Sequence, residues 1–228
     1  PAAVPRPLLT FLVPTWNTQP RYLDALLASV RGQAPGLARL VFSDDGSTSG
    51  ATLAWLDDRA GEADVVVVRG EANGGIAAAT NAALAHAATP WVTMLDHDDA
   101  LAPGAVEMIA ATLAGRPDAA FLYTDEVVAD AELAPKDYLL KPAYDPVLLS
   151  GVNYINHLSV YRTDRLRAIG GLRDGFQGSQ DYDLLLRYLD GVPPTAVVHL
   201  PYPAYLWRRH ESSFSTEHEE VAVNNARK

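Results

Sequence analysis

The stretch TMLDHDD, residues 93–99, is the point at which an apolar run ends in clustered acidic side chains. The run that leads into it, residues 90–95, predicts a buried strand because it is short, continuous and apolar. The residues that follow, 100–104, have the composition of a helix entry. Three carboxylates within four residues therefore lie where a predicted strand gives way to a predicted helix.

Like charges at the end of a buried strand repel one another, which raises the cost of ionising them unless a cation neutralises them. Carboxylate oxygens on a short turn suit Mg²⁺ or Mn²⁺, which commonly bind one or two carboxylates together with substrate phosphates. Asp96 and Asp98 are two residues apart and can face one ligand, and we expect Asp99 to cap the following helix. The alternative, on this motif alone, is a surface turn followed by an ordinary helix cap.

Length, charge and cysteine content narrow the class of protein. The chain has 228 residues, enough for one large α/β domain or two small ones. Its net charge of -10 argues against a nucleic-acid partner, because no basic excess exists to neutralise phosphates. The lack of cysteine excludes disulfides and thiol catalysis, and no apolar run approaches the ~20 residues of a membrane span. Residues 1–7 are rich in Pro and Ala and predict a linker, so we expect a domain of a longer protein.

Strand and helix patterns alternate along the first half of the chain. Apolar, β-prone runs at residues 8–13, 37–43 and 63–68 alternate with helical patterns at 20–33, 52–60 and 76–88. This alternation predicts an α/β fold with a mostly parallel, Rossmann-like sheet flanked by helices. Ligands bind beyond the carboxyl ends of the strands in such sheets. We therefore expect the polar residues of these loops to converge at one edge, namely Asn17, Asp44, Asp45, Asn73, Asp96 and Asp98.

Two further features of the first half bear on function. Asn81 lies inside the third helical pattern, where Asn is unfavourable on propensity, so we expect its side chain to have a specific task. Neither the Rossmann GxGxxG nor the P-loop motif is present, because residues 73–75, NGG, lack the required spacing and the Lys. A hydride-transfer enzyme or a P-loop NTPase is therefore not expected, whereas nucleotide binding through carboxylates and a metal stays open.

The second half of the chain has a less regular pattern. It predicts helices at residues 104–113, 164–169 and 184–189, and strands at 119–124, 153–161 and 195–200. We expect residues 127–135 to form a hairpin or loop. Residues 136–146 mix Lys, Tyr and Pro without periodicity and are expected to form a mobile loop that takes part in function.

Charged residues in the second half have competing interpretations. Asp181 lies near the N-terminus of a predicted helix, where it complements the helix dipole by about 1 kcal/mol or less. It could instead act as a general base, although the local sequence favours the structural role. Arg208, Arg209 and His210 form the densest positive and metal-competent cluster of an acidic chain. Such a group suits a diphosphate and its cation, or else it is a solvated charged turn.

Taken together, these motifs resemble the inverting family 2 glycosyltransferases of GT-A fold. The resemblance covers residues 8–215 and rests on FLVPTWN at 11–17, SDDGS at 43–47, NGGIAAATNAAL at 73–84, LDHDD at 95–99, YTDE at 123–126, GSQDYDLLLR at 178–187 and WRRH at 207–210. It implies one compact domain with a nucleotide-sugar-binding half, 8–99, and an acceptor-binding and catalytic half, 100–210. Residues 211–228 are then a tail or a linker to a further domain.

The resemblance also implies a donor, a metal and a base. The donor is a nucleoside diphosphate sugar, UDP- or dTDP-linked, and the DxD motif maps to Asp96 and Asp98, with Mn²⁺ or Mg²⁺ on the diphosphate and His210 as a third metal ligand. The family's Glu-Asp pair maps to Gln180 and Asp181, so the first member differs while the catalytic base, Asp181, is retained. The implied donor-binding residues are Pro14, Thr15, Asn17, Asp44, Asp45, Asn73, Gly75, Asp96, Arg208 and Arg209.

The implied acceptor is a glycan or a lipid-linked sugar in polysaccharide biosynthesis, in the cytoplasm or at the inner face of the membrane. Its expected contacts are Asp125, Glu126, Gln180 and Trp207. Two alternatives stay open. One is a non-catalytic, glycosyltransferase-like binding module of a larger polymerase. The other is a nucleotidyltransferase, which would carry a Gly-rich, basic loop after the first strand, whereas residues 14–17, PTWN, have neither feature.

Overall fold

A single nine-stranded sheet runs through the part of the chain that the computed structural model describes, residues 7–209. Its strands are β1 (Leu9–Thr15), β2 (Ala38–Asp44), β3 (Val65–Arg69), β4 (Trp91–Met94), β5 (Ala100–Leu101), β6 (Phe121–Ala129), β7 (Pro135–Leu139), β8 (Ser159–Arg162) and β9 (Val197–Arg208). The helices are α1 (Pro20–Arg31), α2 (Gly50–Arg59), α3 (Ile76–Ala85), α4 (Ala105–Gly115), α5 (Pro146–Gly151), α6 (Thr163–Ala168) and α7 (Gln180–Leu189). In these residues no helix combines the length and apolar character needed to cross a membrane.

The strands follow the order β3-β2-β1-β4-β8-β6-β9-β5, and β7 pairs with the outer part of β6. The pairings among β3, β2, β1 and β4 are all parallel, so the loops after these strands share one edge, as the alternating pattern predicts. Beyond β4 the sheet is mixed: β8 is antiparallel to both β4 and β6, whereas β6 and β9 are parallel. The predicted α/β fold with flanking helices is confirmed, with its parallel character concentrated in the first half.

Helices cover both faces of the sheet and divide the core into two apolar layers. The first layer contains Leu26 of α1, Trp55 of α2 and Ile109 of α4 packed against strands that include β1 and β2. The second contains Leu84 of α3 and Leu185 of α7 packed on the opposite face. Because both layers include residues from the first and the second half of the chain, the two halves share one core.

Several predicted boundaries are wrong for identifiable physical reasons. β1 continues through Pro14. Its pairing with β4 ends at Leu12, so the strand loses no hydrogen bond of the sheet because Pro14 lacks an N–H. β9 continues to Arg208 despite Pro201 and Pro203, since its register against β6 shifts there in a bulge. β6 extends to Ala129, and residues 135–139 form β7 where a mobile loop was expected.

Candidate active site

The loop after β1 is tied to the loop after β2 by Asn17. Its φ of 50° is left-handed, and its side-chain Oδ1 accepts hydrogen bonds from the backbone N–H groups of Thr48 and Ser49, both at 2.8 Å. Its own N–H donates to the Ser47 hydroxyl at 2.8 Å. Thr15, like Pro14, is buried within β1. Asn17 therefore shapes the predicted donor pocket, and its direct contact with a donor stays a prediction.

Asp44 and Asp45 join the loops after β2 and β3. The two carboxylate oxygens of Asp45 accept from the N–H groups of Gly74 and Gly75, each at 2.8 Å, at the N-terminus of α3. Asp44 accepts from Arg69 at 3.2 Å, and Asn73 accepts from the Gly75 N–H at 3.2 Å. The carboxylates of Asp44 and Asp45 are largely buried, and their hydrogen bonds hold the loops after β2 and β3 together. Both residues lie at the sheet edge where they were expected to converge.

Asp99 does not cap α4, contrary to the sequence expectation. It is buried and accepts hydrogen bonds from the Tyr205 hydroxyl at 2.6 Å and from the Arg208 N–H at 2.7 Å. The residue at the N-cap of α4 is Gly104, with a left-handed φ of 81°. Burial, together with the charges of Asp96 and Asp98, raises the pKa of Asp99 well above its ordinary value. Asp99 thus anchors the acidic turn to β9 across the sheet edge.

Arg208 completes this anchor. Its guanidinium is buried and donates from Nε to the Asp98 carbonyl at 2.5 Å and from Nη1 to the Ala131 carbonyl. It also lies over the Tyr22 ring at 4.8 Å, while its Nη2 is buried without a hydrogen bond. Arg209 lies over Trp207 at 4.9 Å. Donor binding by the two arginines stays a prediction, and His210 lies outside the described residues.

His157 was missed by the sequence analysis and lies at the centre of the acidic cluster. Its Nε2 is 3.4 Å from Oδ2 of Asp96 and its Nδ1 is 3.3 Å from Oε2 of Glu126, both within ion-pair distance. Burial lowers the pKa of His157, but the two carboxylates outweigh that effect and raise it well above its ordinary value. Burial acts to raise the pKa of Asp96, but His157 outweighs that effect, so the pKa of Asp96 lies below its ordinary value. The available sequence signal was a histidine among the alternating apolar residues 154–160.

Asp181 and Gln180 lie at the N-terminus of α7, close enough to the acidic turn for the charge of Asp96 to act on Asp181. Burial raises the pKa of Asp181 to about 6, the nearby His157 lowers it, and the charge of Asp96 raises it. Gln180 is buried, its Oε1 has no hydrogen-bond partner, and the residue lines a small cavity together with Gly74 and Gly75. The predicted base helix therefore meets both the acidic turn and the donor loops, although about a hundred residues separate them in sequence.

Asp125 and Glu126 are buried in β6, and their carboxylates contact other side chains and backbone groups of the protein. Asp125 Oδ1 lies 2.9 Å from Nε2 of His199 and accepts from the Lys141 N–H at 3.0 Å. Lys141 Nζ is 3.8 Å from Oε1 of Glu126, and burial lowers the pKa of this lysine to about 8. Acceptor contacts by these two carboxylates stay a prediction, and so does the contact by Trp207, which is only partly buried.

A divalent cation fits the donor atoms of the acidic turn. Within residues 7–209 no group of three or more metal-binding side chains converges to form a complete site. Asp96 and Asp98 supply carboxylate oxygens at the sheet edge, with about 37% and 19% of their side chains exposed. Two carboxylates suit Mg²⁺ or Mn²⁺ when substrate phosphates and water complete the shell. Asp96 and Asp98 would therefore be the protein ligands.

Comparison with known proteins agrees with this geometry. The sequence model of the family "Glycosyl transferase family 2" matches residues 10–150. The chain is 36% identical over 203 residues to the uncharacterized protein y4gI of Sinorhizobium fredii, covering 89% of this chain and 22% of that protein. It is 33% identical over 201 residues to the O-antigen biosynthesis protein RfbC of Myxococcus xanthus, covering 88% of this chain and 16% of RfbC.

The fold is also found in a solved structure. S. aureus TarS 1-349 in complex with UDP-GlcNAc superposes with a TM-score of 0.73 at 19% identity, covering 94% of this chain and 64% of that one. The fold and the carboxylate-lined edge define an α/β protein of the GT-A type. The family match spans more than half of the sequence, and the chain belongs to glycosyl transferase family 2. It spans about a fifth of the length of the curated relatives quoted above.

Proposed function

We propose that this chain is a catalytic domain that transfers a sugar from a nucleoside diphosphate sugar to an acceptor hydroxyl, with inversion and with Mn²⁺ or Mg²⁺. The observation that carries the proposal is the position of Asp181. Asp96 and His157 lie close enough for their charges to act on its carboxylate, and burial raises its pKa to about 6. A base with a pKa near the working pH combines an ionised state with a useful affinity for a proton.

The proposed reaction needs one base and no covalent nucleophile. The acceptor hydroxyl attacks the anomeric carbon from the face opposite the diphosphate, while Asp181 accepts the hydroxyl proton. The bond from the anomeric carbon to the diphosphate oxygen breaks, and the nucleoside diphosphate departs with that electron pair. A cation held by Asp96 and Asp98, when bound, supplies charge neutralisation for the departing diphosphate. Proton removal by a positioned base contributes typically about 10²–10⁴-fold.

Support for the donor class comes from the neighbouring structures. TarS has been solved in complex with UDP-GlcNAc and with UDP, so the same fold accommodates a nucleotide sugar. RfbC is an O-antigen biosynthesis protein, and a hyaluronan synthase of Pasteurella multocida is 27% identical over 183 residues, covering 79% of this chain and 18% of that protein. We therefore propose a UDP- or dTDP-linked donor and a glycan or lipid-linked acceptor in polysaccharide biosynthesis.

The test is to incubate the protein with MnCl₂ and a panel of nucleoside diphosphate sugars, and to measure donor hydrolysis and thermal stabilisation. We expect one donor to stabilise the protein in the presence of Mn²⁺, and EDTA to reverse the effect. Asp98→Ala should remove this metal dependence, whereas Asp58→Ala, an exposed position on α2, should leave it unchanged. Metal-dependent donor binding that survives Asp98→Ala would contradict the cation site.

The stereochemical part of the proposal has its own measurement. Once an acceptor is identified, proton NMR of the product gives the anomeric configuration. Inversion relative to the donor is expected, because one base and no nucleophile are invoked. Retention would require a covalent or front-face route and would contradict the role of Asp181.

A further inference from the structure

We propose that His157 is a positioning residue of the donor site, which fixes the Asp96 carboxylate by bridging it to the buried carboxylate of Glu126. The inference rests on the proposed function, in which Asp96 meets the donor and its cation. It adds a residue that lies 61 positions after Asp96 and belongs to none of the motifs that define the family resemblance. The geometry of the imidazole, its backbone and its two partners carries the inference.

The plane of the His157 ring is fixed by aromatic neighbours. The ring stacks on Tyr205 with centroids 4.6 Å apart and an interplanar angle of 10°. Trp207 lies on β9 with its centroid 6.4 Å from the imidazole. Tyr205 in turn donates its hydroxyl proton to Asp99. The imidazole is therefore held in register with the same strand that anchors the acidic turn.

The backbone of His157 is fixed as well. Lys141 is buried and donates from Nζ to the Ile155 carbonyl at 2.5 Å and to the His157 carbonyl. The Lys141 N–H is itself bound by Asp125 of β6. With both the ring and the backbone held, the direction of the two ring nitrogens is set before any donor arrives. Such preorganisation avoids the cost of ordering these groups during binding.

The consequence for Asp96 is geometric. Its Oδ2 faces Nε2 of His157 at 3.4 Å, which leaves Oδ1 for a cation or a ribose hydroxyl. Asp96 shares the site with the carboxyl groups of Asp99 and Asp181, which lie close enough for its charge to act on them. The fixed imidazole opposite Oδ2 limits the orientations that the Asp96 carboxylate can adopt. Groups that orient a ligand carboxylate in this way typically change affinity by about 10–100-fold when lost.

The two nitrogens of His157 can be tested separately. The amide nitrogen of Gln reaches the position of histidine Nε2, and that of Asn reaches the position of Nδ1. His157→Gln should keep the contact with Asp96 and lose that with Glu126, and His157→Asn should do the reverse. We expect His157→Gln, which keeps the contact with Asp96, to lose less UDP affinity in the presence of MnCl₂ than His157→Asn, which should lose about tenfold or more. Isothermal titration calorimetry measures the affinities, and urea unfolding measures the stability of each variant.

His199, which lies on β9, provides a matched control. Its ring stacks on Tyr123 at 4.7 Å and 11°, and its Nε2 lies 2.9 Å from Asp125 Oδ1, so its carboxylate partner is Asp125 and not Asp96. His199→Gln and His199→Asn should lower stability without separating in UDP affinity. Equal UDP affinities for the two His157 variants, or losses of affinity that follow stability alone, would overturn the inference about His157. In that case Mn²⁺-dependent binding by the parent protein would still support the proposed function. Absence of Mn²⁺-dependent binding by the parent would overturn both.

Discussion

Asp181 is a residue whose environment opposes its charge. Burial is the first cause of its raised pKa, so ionising this carboxylate in the folded protein is less favourable than in the unfolded chain. The pKa rises from 3.8 to about 6, which corresponds to about 3 kcal/mol of folding free energy. A neutral side chain at position 181 would avoid this cost and make the folded protein more stable. The cost is consistent with the proposed role as a base.

Asp181→Asn should therefore stabilise the protein while it abolishes sugar transfer. The sign follows from linkage: the folded state binds this proton more tightly, so the parent loses stability as pH rises from about 4 to about 6. The variant lacks this loss, and its advantage should be small at pH 4 and reach up to about 3 kcal/mol above pH 6. Urea unfolding at a series of pH values measures the difference. A destabilised variant at pH 7 would show that the carboxylate is needed for folding.

Single residues were predicted unevenly from the sequence. Asp96 and Asp181 could be proposed as site residues because each lies in a short motif or matches a family position, and their roles stay predictions. His157, Lys141 and His199 could not, since their partners are distant in sequence and only the packed sheet brings Glu126 and Asp125 to them. Asp99 looked like a helix cap, because its real partners lie on β9, over a hundred residues later.

Among the elements, α3 shows how one polar side chain fixes a helix in place. Asn81 donates to the Leu172 carbonyl at 2.8 Å and accepts from the Leu172 N–H at 2.9 Å. These bonds explain an Asn inside a helix and attach α3 to the turn that follows α6. Gly171, with a φ of 66°, passes so close to the Asn81 amide that a β-carbon has no room there.

Asn81→Ala should lower the free energy of unfolding by about 2 kcal/mol, because it leaves the backbone groups of Leu172 without partners. Asn81→Asp keeps the acceptor for the Leu172 N–H and lacks the donor, so an intermediate loss is expected. Urea denaturation followed by circular dichroism provides the values. If the Ala variant lay within about 0.5 kcal/mol of the parent, the two bonds would contribute nothing measurable.

The elements of the first half were predictable and those of the second half less so. β1 to β4 and their helices show clear periodicity, and a parallel sheet follows from it. β7 escaped prediction because its residues are exposed on both sides, which removes the apolar alternation. β9 was cut short because its prolines look like breakers until the bulge opposite them is known.

On the scale of the whole molecule, one sheet and two shared apolar layers cross the boundary between the predicted halves. The chain should therefore unfold as one cooperative unit. Trp55 reports on the first half, packed edge-on against Phe42 with centroids 5.1 Å apart, and Trp207 lies in the second half. Variants that each retain one of these tryptophans should give urea transitions that coincide with each other and with far-UV circular dichroism. Separate midpoints would show that the halves are independent domains.

The contacts between Asp99 and β9 have a consequence for the order of events during synthesis. Asp99 leaves the ribosome before Tyr205 and Arg208, the residues whose hydroxyl and amide groups bind its carboxylate. The first four strands can pair early, but the Asp99 carboxylate has neither of these partners until β9 emerges. A nascent or truncated chain that stops before β9 would lack both contacts of Asp99, so we expect the proposed sugar transfer to begin only after β9 has been synthesised.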